Sequence, residues 1–305
     1  MRKLSVVMTH LDDYEALWFT IQNTVNELEE SQIEFEIIVS DAGSEPGSIG
    51  HTRDMVKKFA EKYDIKLIEY DPNTNLLKRT IQNCPGSRTA GILKAKYDLV
   101  CFMDSHVIVK RNFFNSMIPL FDDPDVYIVY APMMYITQLF YEYAMYPQVK
   151  NEQSTSTWEP VSEESYPVAA ACNACTMIRK DYLKLFFPED ELKSIPYTME
   201  EPTISLRAWM FGKKVLMNPK TAFAHSFFRH SGRGDFDFES IKPLAGYVFG
   251  GMEYYEKAVK DWRSEHFVLG FHVDLPEKDR EFVEKNALVK YKDLGEYLIS
   301  NGVKR

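Results

Sequence analysis

The sequence predicts a doubly wound α/β fold around a mostly parallel sheet. Three observations point to it. Short β-branched runs alternate with helical patterns, the residues that follow each run are strongly polar, and 305 residues of 45% hydrophobic content suffice for one large core with an appendage.

Taken in order, Leu4 to Met8 reads as a first strand, Tyr14 to Leu28 as a helix and Phe35 to Val39 as a second strand, together a βαβ unit. A helix from Thr52 to Tyr63, a strand from Lys66 to Glu69, a helix from Arg88 to Ala95 and a strand from Leu99 to Met103 continue the alternation. Ligands in such sheets bind beyond the carboxyl ends of the strands. The candidate rim is therefore Thr9-His10-Leu11-Asp12-Asp13, Ser40-Asp41-Ala42-Gly43-Ser44 and Asp104-Ser105-His106. The stretch from Tyr146 to Tyr166, rich in Glu, Ser, Thr and Pro, reads as a surface excursion or lid. Beyond Gly234 the pattern changes to charged amphipathic helices, Glu239 to Phe267 and Glu277 to Asn301. These predict a helical C-terminal extension and divide the chain into residues 1–234 and 235–305.

Composition narrows the function. A formal net charge of −9 argues against a surface that coats polyanions. No apolar run approaches the ~20 residues of a membrane span, so no integral membrane segment or signal peptide is expected. Four cysteines do not make a disulfide framework in a chain of this size, which suits a reducing, cytoplasmic setting. Cys172-Asn173-Ala174-Cys175 has no second pair at metal spacing, which sets structural zinc and thiol redox chemistry aside. The aromatic density from Met133 to Tyr146 suits core or a subunit contact and leaves an oligomer open.

Asp104 and His106 lie two apart, so an extended segment projects both to one side across the small Ser105. A carboxylate and an imidazole so placed can chelate one ion, and they suit Mn2+ better than Ca2+. A divalent ion between two phosphates would neutralise charge on a departing nucleoside diphosphate. Read from these three residues alone, a solvated strand end with a capping Asp is the alternative.

Ser5 to His10, Ile37 to Ser44 and Gly86 to Gly91, together with Asp104-Ser105-His106, carry a resemblance, over roughly Leu4 to Arg229, to the GT-A glycosyltransferases of the family-2 and polypeptide N-acetylgalactosaminyltransferase type. Ser5-Val6-Val7-Met8-Thr9-His10 looks like the first strand of that family, and Ile37-Ile38-Val39-Ser40-Asp41-Ala42-Gly43-Ser44 looks like its V-D-D-G-S second strand. Gly86-Ser87-Arg88-Thr89-Ala90-Gly91 is similar to its A-A-R-N-x-G helix start, with Gly91 thirteen positions before Asp104. The resemblance implies a UDP-sugar donor. It implies that Thr9 and Asp41 face the base, Asp41 accepting the uracil imide proton, with His10 and Asp12 on the same nucleotide-binding rim. An Asx-turn is the alternative for Asp41. The helix start would point amides, and Arg88, at the sugar or diphosphate.

The Asp-Ser-His form resembles the variant in polypeptide N-acetylgalactosaminyltransferases, where Asp and His share Mn2+ with a distant His. Ala224-His225-Ser226-Phe227-Phe228-Arg229 is similar to the G-H-V-F-R segment of that family with one extra residue. The implied ligand set for Mn2+ (or Mg2+) is Asp104, His106 and His225, with Ser105 and Arg229 beside the donor. Arg229 to Asp235 combines cations with glycines, as expected either of a loop that closes over a diphosphate or of a plain connection. Cys172 to Cys175 resembles the G-x-N-x-x-x-R stretch, which implies that Asn173 donates a hydrogen bond to the donor sugar.

Glu200-Glu201-Pro202-Thr203-Ile204-Ser205-Leu206-Arg207-Ala208-Trp209 resembles both E-D-x-D-L-S-L-R of inverting enzymes and E-N-x-E-I-S-F-R-x-W of retaining ones. Glu201 matches the general base of the inverting type. Asp104-Ser105-His106, Trp209 and His225 belong with the retaining type, whose equivalent of Glu201 is uncharged, and the resemblance implies that Trp209 is one of the donor-binding residues. Paired glutamates before Pro202 also make a good helix start. The expectation is a metal-dependent transferase that moves a hexose or N-acetylhexosamine from a UDP-sugar to an acceptor hydroxyl, preferably with inversion. Glycan, protein, metabolite and hydroxylated nucleic-acid base all stay open as acceptor, because acceptor choice sits in variable loops. A sugar nucleotidyltransferase is disfavoured because Thr9 to Asp13 holds no glycine. A sugar-nucleotide or glycan-binding module without turnover is the remaining class.

Overall fold

The computed structural model describes residues 2–69, 84–135, 146–150, 153–157, 163–168, 171, 174–182, 200–226, 282, 285–289 and 293–303. The chain opens with β1 (Lys3–His10), α1 (Tyr14–Glu30), β2 (Glu34–Asp41), α2 (Pro46–Ala60) and β3 (Ile65–Ile68), the alternation that the sequence predicts. α3 (Cys84–Lys94) and β4 (Leu99–Asp104) complete that half. α2 and α3 each start earlier than expected, at Pro46 and Cys84. In both, a proline in the first turn supplies a preset φ and lacks an N–H that would go unpaired there, while the neighbouring glycines hide the apolar period.

The second half contains β5 (Val107–Val109), α4 (Phe113–Met117), a 3₁₀ turn (Ile118–Asp122), β6 (Val126–Tyr130) and β7 (Met133–Tyr135). There follow the antiparallel ribbon of β8 (Tyr146–Lys150) and β9 (Gln153–Thr157), then β10 (Tyr166–Pro167) and β11 (Cys175–Arg179). α5 (Glu200–Met210), β12 (Lys214–Met217), β13 (Phe223–His225) and α6 (Leu294–Ser300) end the described chain. The expected surface excursion thus holds the β8–β9 ribbon.

Eight strands form one sheet in the order β10-β12-β6-β11-β4-β1-β2-β3. β1 to β4 with β6 and β12 run one way, and β11 and β10 oppose them. The chain winds outward from β1 to β2 and β3, then returns to the other side of β1 for β4. Ligands sit at such a reversal, beyond the carboxyl ends of the two diverging strands. Register fixes what stands there, with Thr9 beside Asp104 and His10 beside Asp41.

The sheet is buried on both faces. Leu4, Val6, Met8, Ile37, Val39, Cys101 and Met103 face α1, α2 and α4, whose Leu17, Ile21, Val25, Met55 and Phe113 complete one apolar cluster. Val7, Ile38, Val100 and Phe102 face the other way, towards Ile92 of α3 and Ile204, Ala208 and Trp209 of α5. Each fully buried aliphatic side chain contributes about 1.5–3 kcal/mol, enough in sum to hold the strand ends in fixed register. Of the two helices expected beyond Gly234, the first (Glu239 to Phe267) lies outside the described residues, and α6 ends the second. Leu294, Leu298 and Val303 bury in the cluster that contains Trp209, and the Val289 amide donates to the Met210 carbonyl at 2.9 Å. Among the described residues no helix is long and apolar enough to cross a membrane.

α3 presses unusually close to the sheet. A Cβ on Gly91 would lie 2.4 Å from Cγ1 of Val7. At the start of the same helix the Ser40 hydroxyl donates to the Ser87 carbonyl at 2.7 Å, and the Ser87 hydroxyl returns a bond to the Ser40 carbonyl at 2.8 Å. Gly91→Ala gains about 1 kcal/mol of helix propensity but overpacks a stiff, fully buried valine at a cost of about 1–3 kcal/mol. We expect net destabilisation of up to about 2 kcal/mol, read as a lower urea midpoint at unchanged slope.

Lower on the sheet, the buried Glu36 accepts from Ser5 Oγ at 2.6 Å, from Lys66 Nζ at 2.7 Å and from the Lys96 amide. Burial raises its carboxyl, and the bonds from Lys66, Lys96 and Ser5 more than offset that and hold it below its ordinary value. Its contribution to stability is therefore complete above the ordinary carboxyl value and is lost as pH falls through the lowered folded one. Glu36→Gln should destabilise the protein at neutral pH and flatten the acid limb of a stability–pH curve.

Candidate metal and nucleotide site

β1 and β4 end side by side, and a small sheet in the order β5-β13-β7 stands against them. β13 pairs antiparallel with β5, placing His225 opposite Val107, and the Ser226 amide donates to the His106 carbonyl at 3.1 Å. That pairing brings His225 to Asp104 across 121 positions of chain. His225 Nε2 lies 3.1 Å from Asp104 Oδ2 and 3.1 Å from His106 Nε2. One ligand atom from each of the three residues falls within 4.8 Å of the others. β4 ends at Asp104 and the chain turns at Ser105, so this turn and β13 bring the side chains together, in place of the extended segment the spacing suggests.

The donor set suits a divalent ion. A carboxylate with two imidazoles is intermediate in softness, fitting Mn2+ and its neighbours. Adjacent ligands of an octahedral ion at about 2.1 Å stand about 3.0 Å apart, close to both observed spacings. Asp104 Oδ1 accepts from the Arg88 guanidinium at 3.2 Å, and that guanidinium lies over the Phe102 ring, 4.9 Å from its centroid. Burial raises the Asp104 carboxyl, but the bond from His225 and the charges of Arg88 and the two histidines lower it, from 3.8 to about 2. Arg88, expected at the sugar or diphosphate, is 2% exposed and is turned to Asp104.

The nucleotide-facing expectations separate. Thr9 is buried, and its hydroxyl has no hydrogen-bond partner among the described residues, as a group awaiting a ligand would show. Asp41 adopts the Asx-turn, accepting from the Gly43 amide at 2.9 Å and the Ser44 amide at 3.1 Å, yet a carboxylate keeps further lone pairs for a base. Gly43, at φ 101°, occupies backbone space that a side chain would strain. Asp12, exposed and left-handed at φ 57°, ties the two loops together: its amide donates to Ser44 Oγ at 3.0 Å, and its carboxylate accepts from the Glu45 amide at 2.6 Å.

Three expected ligand contacts are turned inward. His10 is 0% exposed, its Nδ1 meeting Asp13 Oδ1 at 2.9 Å and its Nε2 meeting Thr52 Oγ1 at 2.9 Å, so neither nitrogen is left for a nucleotide. The Ser105 hydroxyl donates to the Asp13 carboxylate at 2.6 Å. Trp209 is a core residue whose indole N–H donates to the Val168 carbonyl at 2.9 Å. Glu201 lies in the first turn of α5. Asn173 and Arg229 lie outside the described residues.

Three residues have a part that the sequence reading does not assign: Asp13, which it places on the rim without a role, and Thr20 and Asn23, which it does not single out. Asp13 occupies the N-cap position of α1 without capping it, and its buried carboxylate meets His106 Nδ1 at 2.6 Å as well as His10 and Ser105. On α1, Thr20 donates to the Ser105 carbonyl at 2.9 Å and accepts from the Val107 amide, while Asn23 accepts from the Val109 amide at 2.8 Å. A signal for Thr20 was present: it is a polar residue buried at the helical spacing of Leu17, Ile21, Val25 and Leu28, as is Thr24.

Residues 5–187 match the family described as Glycosyl transferase family 2. Among solved structures, GalNAc-T7 with UDP, GalNAc and Mn2+ aligns with 98% of this chain at TM-score 0.71 and 15% identity, and the chain spans 57% of that protein's length. The mannosyltransferase PcManGT from Pyrobaculum calidifontis, in complex with GDP-Man and Mn2+, aligns at TM-score 0.53 and 11% identity, covering 99% of this chain and 86% of that one. S. aureus TarS in complex with UDP-GlcNAc aligns at TM-score 0.53 and 12% identity, covering 98% of this chain and 88% of that one. At such identities the likeness is one of fold, here GT-A. No curated protein matches the chain.

The pairing of Arg88 with Asp104 gives a direct test of the site's electrostatics. Arg88→Met keeps an apolar stem over Phe102 but leaves the carboxylate without its cation. We expect a loss of about 2–4 kcal/mol in denaturant unfolding without metal.

Proposed function

The chain belongs to glycosyl transferase family 2, and on that premise we propose that it transfers a hexose or N-acetylhexosamine from a UDP-sugar to an acceptor hydroxyl, with Mn2+ or Mg2+ held by Asp104, His106 and His225. The observation that carries the reading is the convergence of Asp104 Oδ2, His106 Nε2 and His225 Nε2 at the carboxyl ends of β1 and β4. Mn2+ accompanies a nucleotide or nucleotide-sugar in two structures that share the fold, and UDP-GlcNAc stands in a third. The metal, when bound, supplies positive charge to the diphosphate leaving group.

The remaining steps fall to side chains. Arg88 keeps Asp104 ionised and holds one carboxylate oxygen, leaving the other to face the histidines. Thr9 offers its hydroxyl, which has no partner among the described residues, and Asp41 its remaining lone pairs, to the uracil base. Glu201 takes the proton of the acceptor hydroxyl as that oxygen bonds to the anomeric carbon and the bond to the diphosphate breaks, with inversion. A second reading, retention, is favoured by the Asp104-Ser105-His106 and His225 set, which resembles retaining transferases.

The test is release of UDP from a panel of UDP-sugars with and without Mn2+. We expect Mn2+-dependent release that falls at least ~100-fold in His225→Ala, as loss of a ligand should cause. Glu201→Gln should abolish transfer while UDP binding persists, and the anomeric configuration of the product decides between the two stereochemical readings. A protein that neither hydrolyses a nucleotide-sugar nor binds UDP with Mn2+ would sink the proposal.

A further inference from the structure

Resting on that metal reading, we propose that Asp13 is a positioning residue that decides which nitrogen of His106 meets the cation. Asp13 is 5% exposed, and its carboxylate receives three donors: His106 Nδ1 at 2.6 Å, Ser105 Oγ at 2.6 and 2.7 Å, and His10 Nδ1 at 2.9 Å. An ionised carboxylate can only accept. The proton of a neutral His106 must therefore sit on Nδ1, which leaves the lone pair on Nε2. Nε2 is the atom that stands 3.1 Å from His225 Nε2, within the candidate ligand set. A carboxylate behind a ligating histidine fixes its tautomer, fixes its ring plane and raises its basicity.

The surroundings of Asp13 hold it to this task. Its backbone carbonyl accepts the first bond of α1, from the Leu17 amide at 3.0 Å, so its Cα is fixed by the helix. An Asp at that position ordinarily turns its carboxylate back to the free amides of the first turn. Here there is no side-chain cap bond, and the carboxylate points away from the helix, towards the metal ligands. His10 backs it from the far side and is itself anchored on Thr52 Oγ1, whose hydroxyl lies 3.1 Å from the Ser48 carbonyl. The row Thr52, His10, Asp13, His106 thus runs from α2 to the candidate metal site. The same geometry gives Ser105 a purpose beyond its small size, since its hydroxyl holds the Asp13 carboxylate at right reach of His106.

The test uses the full chain and Mn2+ itself. Titration followed by the paramagnetic resonance of the free ion should give a Kd 10–100-fold weaker in Asp13→Asn than in wild type, and a smaller, several-fold loss in Ser105→Ala. The carboxamide can donate to His106 Nδ1, which moves the ring proton to Nε2 and blocks the ligand position. Nitrogen-15 imidazole spectra of the metal-free chain report this directly. Wild-type His106 should be protonated at Nδ1 and bare at Nε2, and Asp13→Asn should shift protonation to Nε2. Wild-type His106 protonated at Nε2 overturns the inference, and this measurement decides even if Asp13→Asn fails to fold. A wild-type chain that binds no Mn2+ overturns the metal reading and this inference with it. A wild type that binds, beside a folded Asp13→Asn that binds within twofold of it, overturns the inference alone.

Discussion

Val107 faces His225 across β5 and β13, and the rest of the site depends on that pairing. Asp104 and His106 are neighbours in sequence and would make at most a two-point contact with an ion. His225 completes the set only because a three-residue strand is held in one register. Strands of this length do not hold themselves. β5 is clamped on one edge by β13 and on the other by α1, where Thr20 and Asn23 take up the amides of Val107 and Val109. Helix side chains here do what a further strand would otherwise do, covering backbone groups that cannot be left bare in the interior.

The same region gathers charge that the core alone would not tolerate. Asp13 is a buried carboxylate and Asp104 a half-buried one, and each is met by donors on several sides. For Asp13, burial pushes the carboxyl up, while the bonds and charges of His10 and His106 hold it well below its ordinary value. Asp104 is balanced in the same way by His225 and Arg88. Partial satisfaction would make such a cluster a liability, because an unpaired buried charge costs several kcal/mol. The close approach of α3, permitted by Gly91, is what delivers Arg88 to Asp104. Packing on one face of the sheet and ionisation at its edge are thus a single arrangement.

Much of this was legible in the sequence, for physical reasons that also explain what was not. Strands buried on both faces and separated by helices announce a doubly wound sheet, and polar residues at their ends mark its rim. Asp104 and His106 stood out because they lie two apart at a strand end, and His225 because its segment resembles a known one. The direction in which each rim residue turns could not be read. His10, Ser105 and Asp13 lie on the same polar stretches as Thr9 and Asp104, but these three form an inner network while the Thr9 hydroxyl has no partner among the described residues. The left-handed turn at Asp12 sends its side chain to the surface and the next one inward, an inversion that no spacing rule predicts. Trp209 lies in a segment that resembles a catalytic one, yet its size and its indole bond place it in the core.

We propose an ion between Asp104, His106 and His225, and a nucleotide above Thr9 and Asp41. The most direct measurement is anomalous scattering at the manganese edge from crystals grown with Mn2+ and UDP. One peak should lie within coordination distance of the Asp104 carboxylate and of the Nε2 atoms of both histidines, with the diphosphate on its open side. A crystal in which UDP binds but the peak is missing, or lies away from these three side chains, would contradict the assignment.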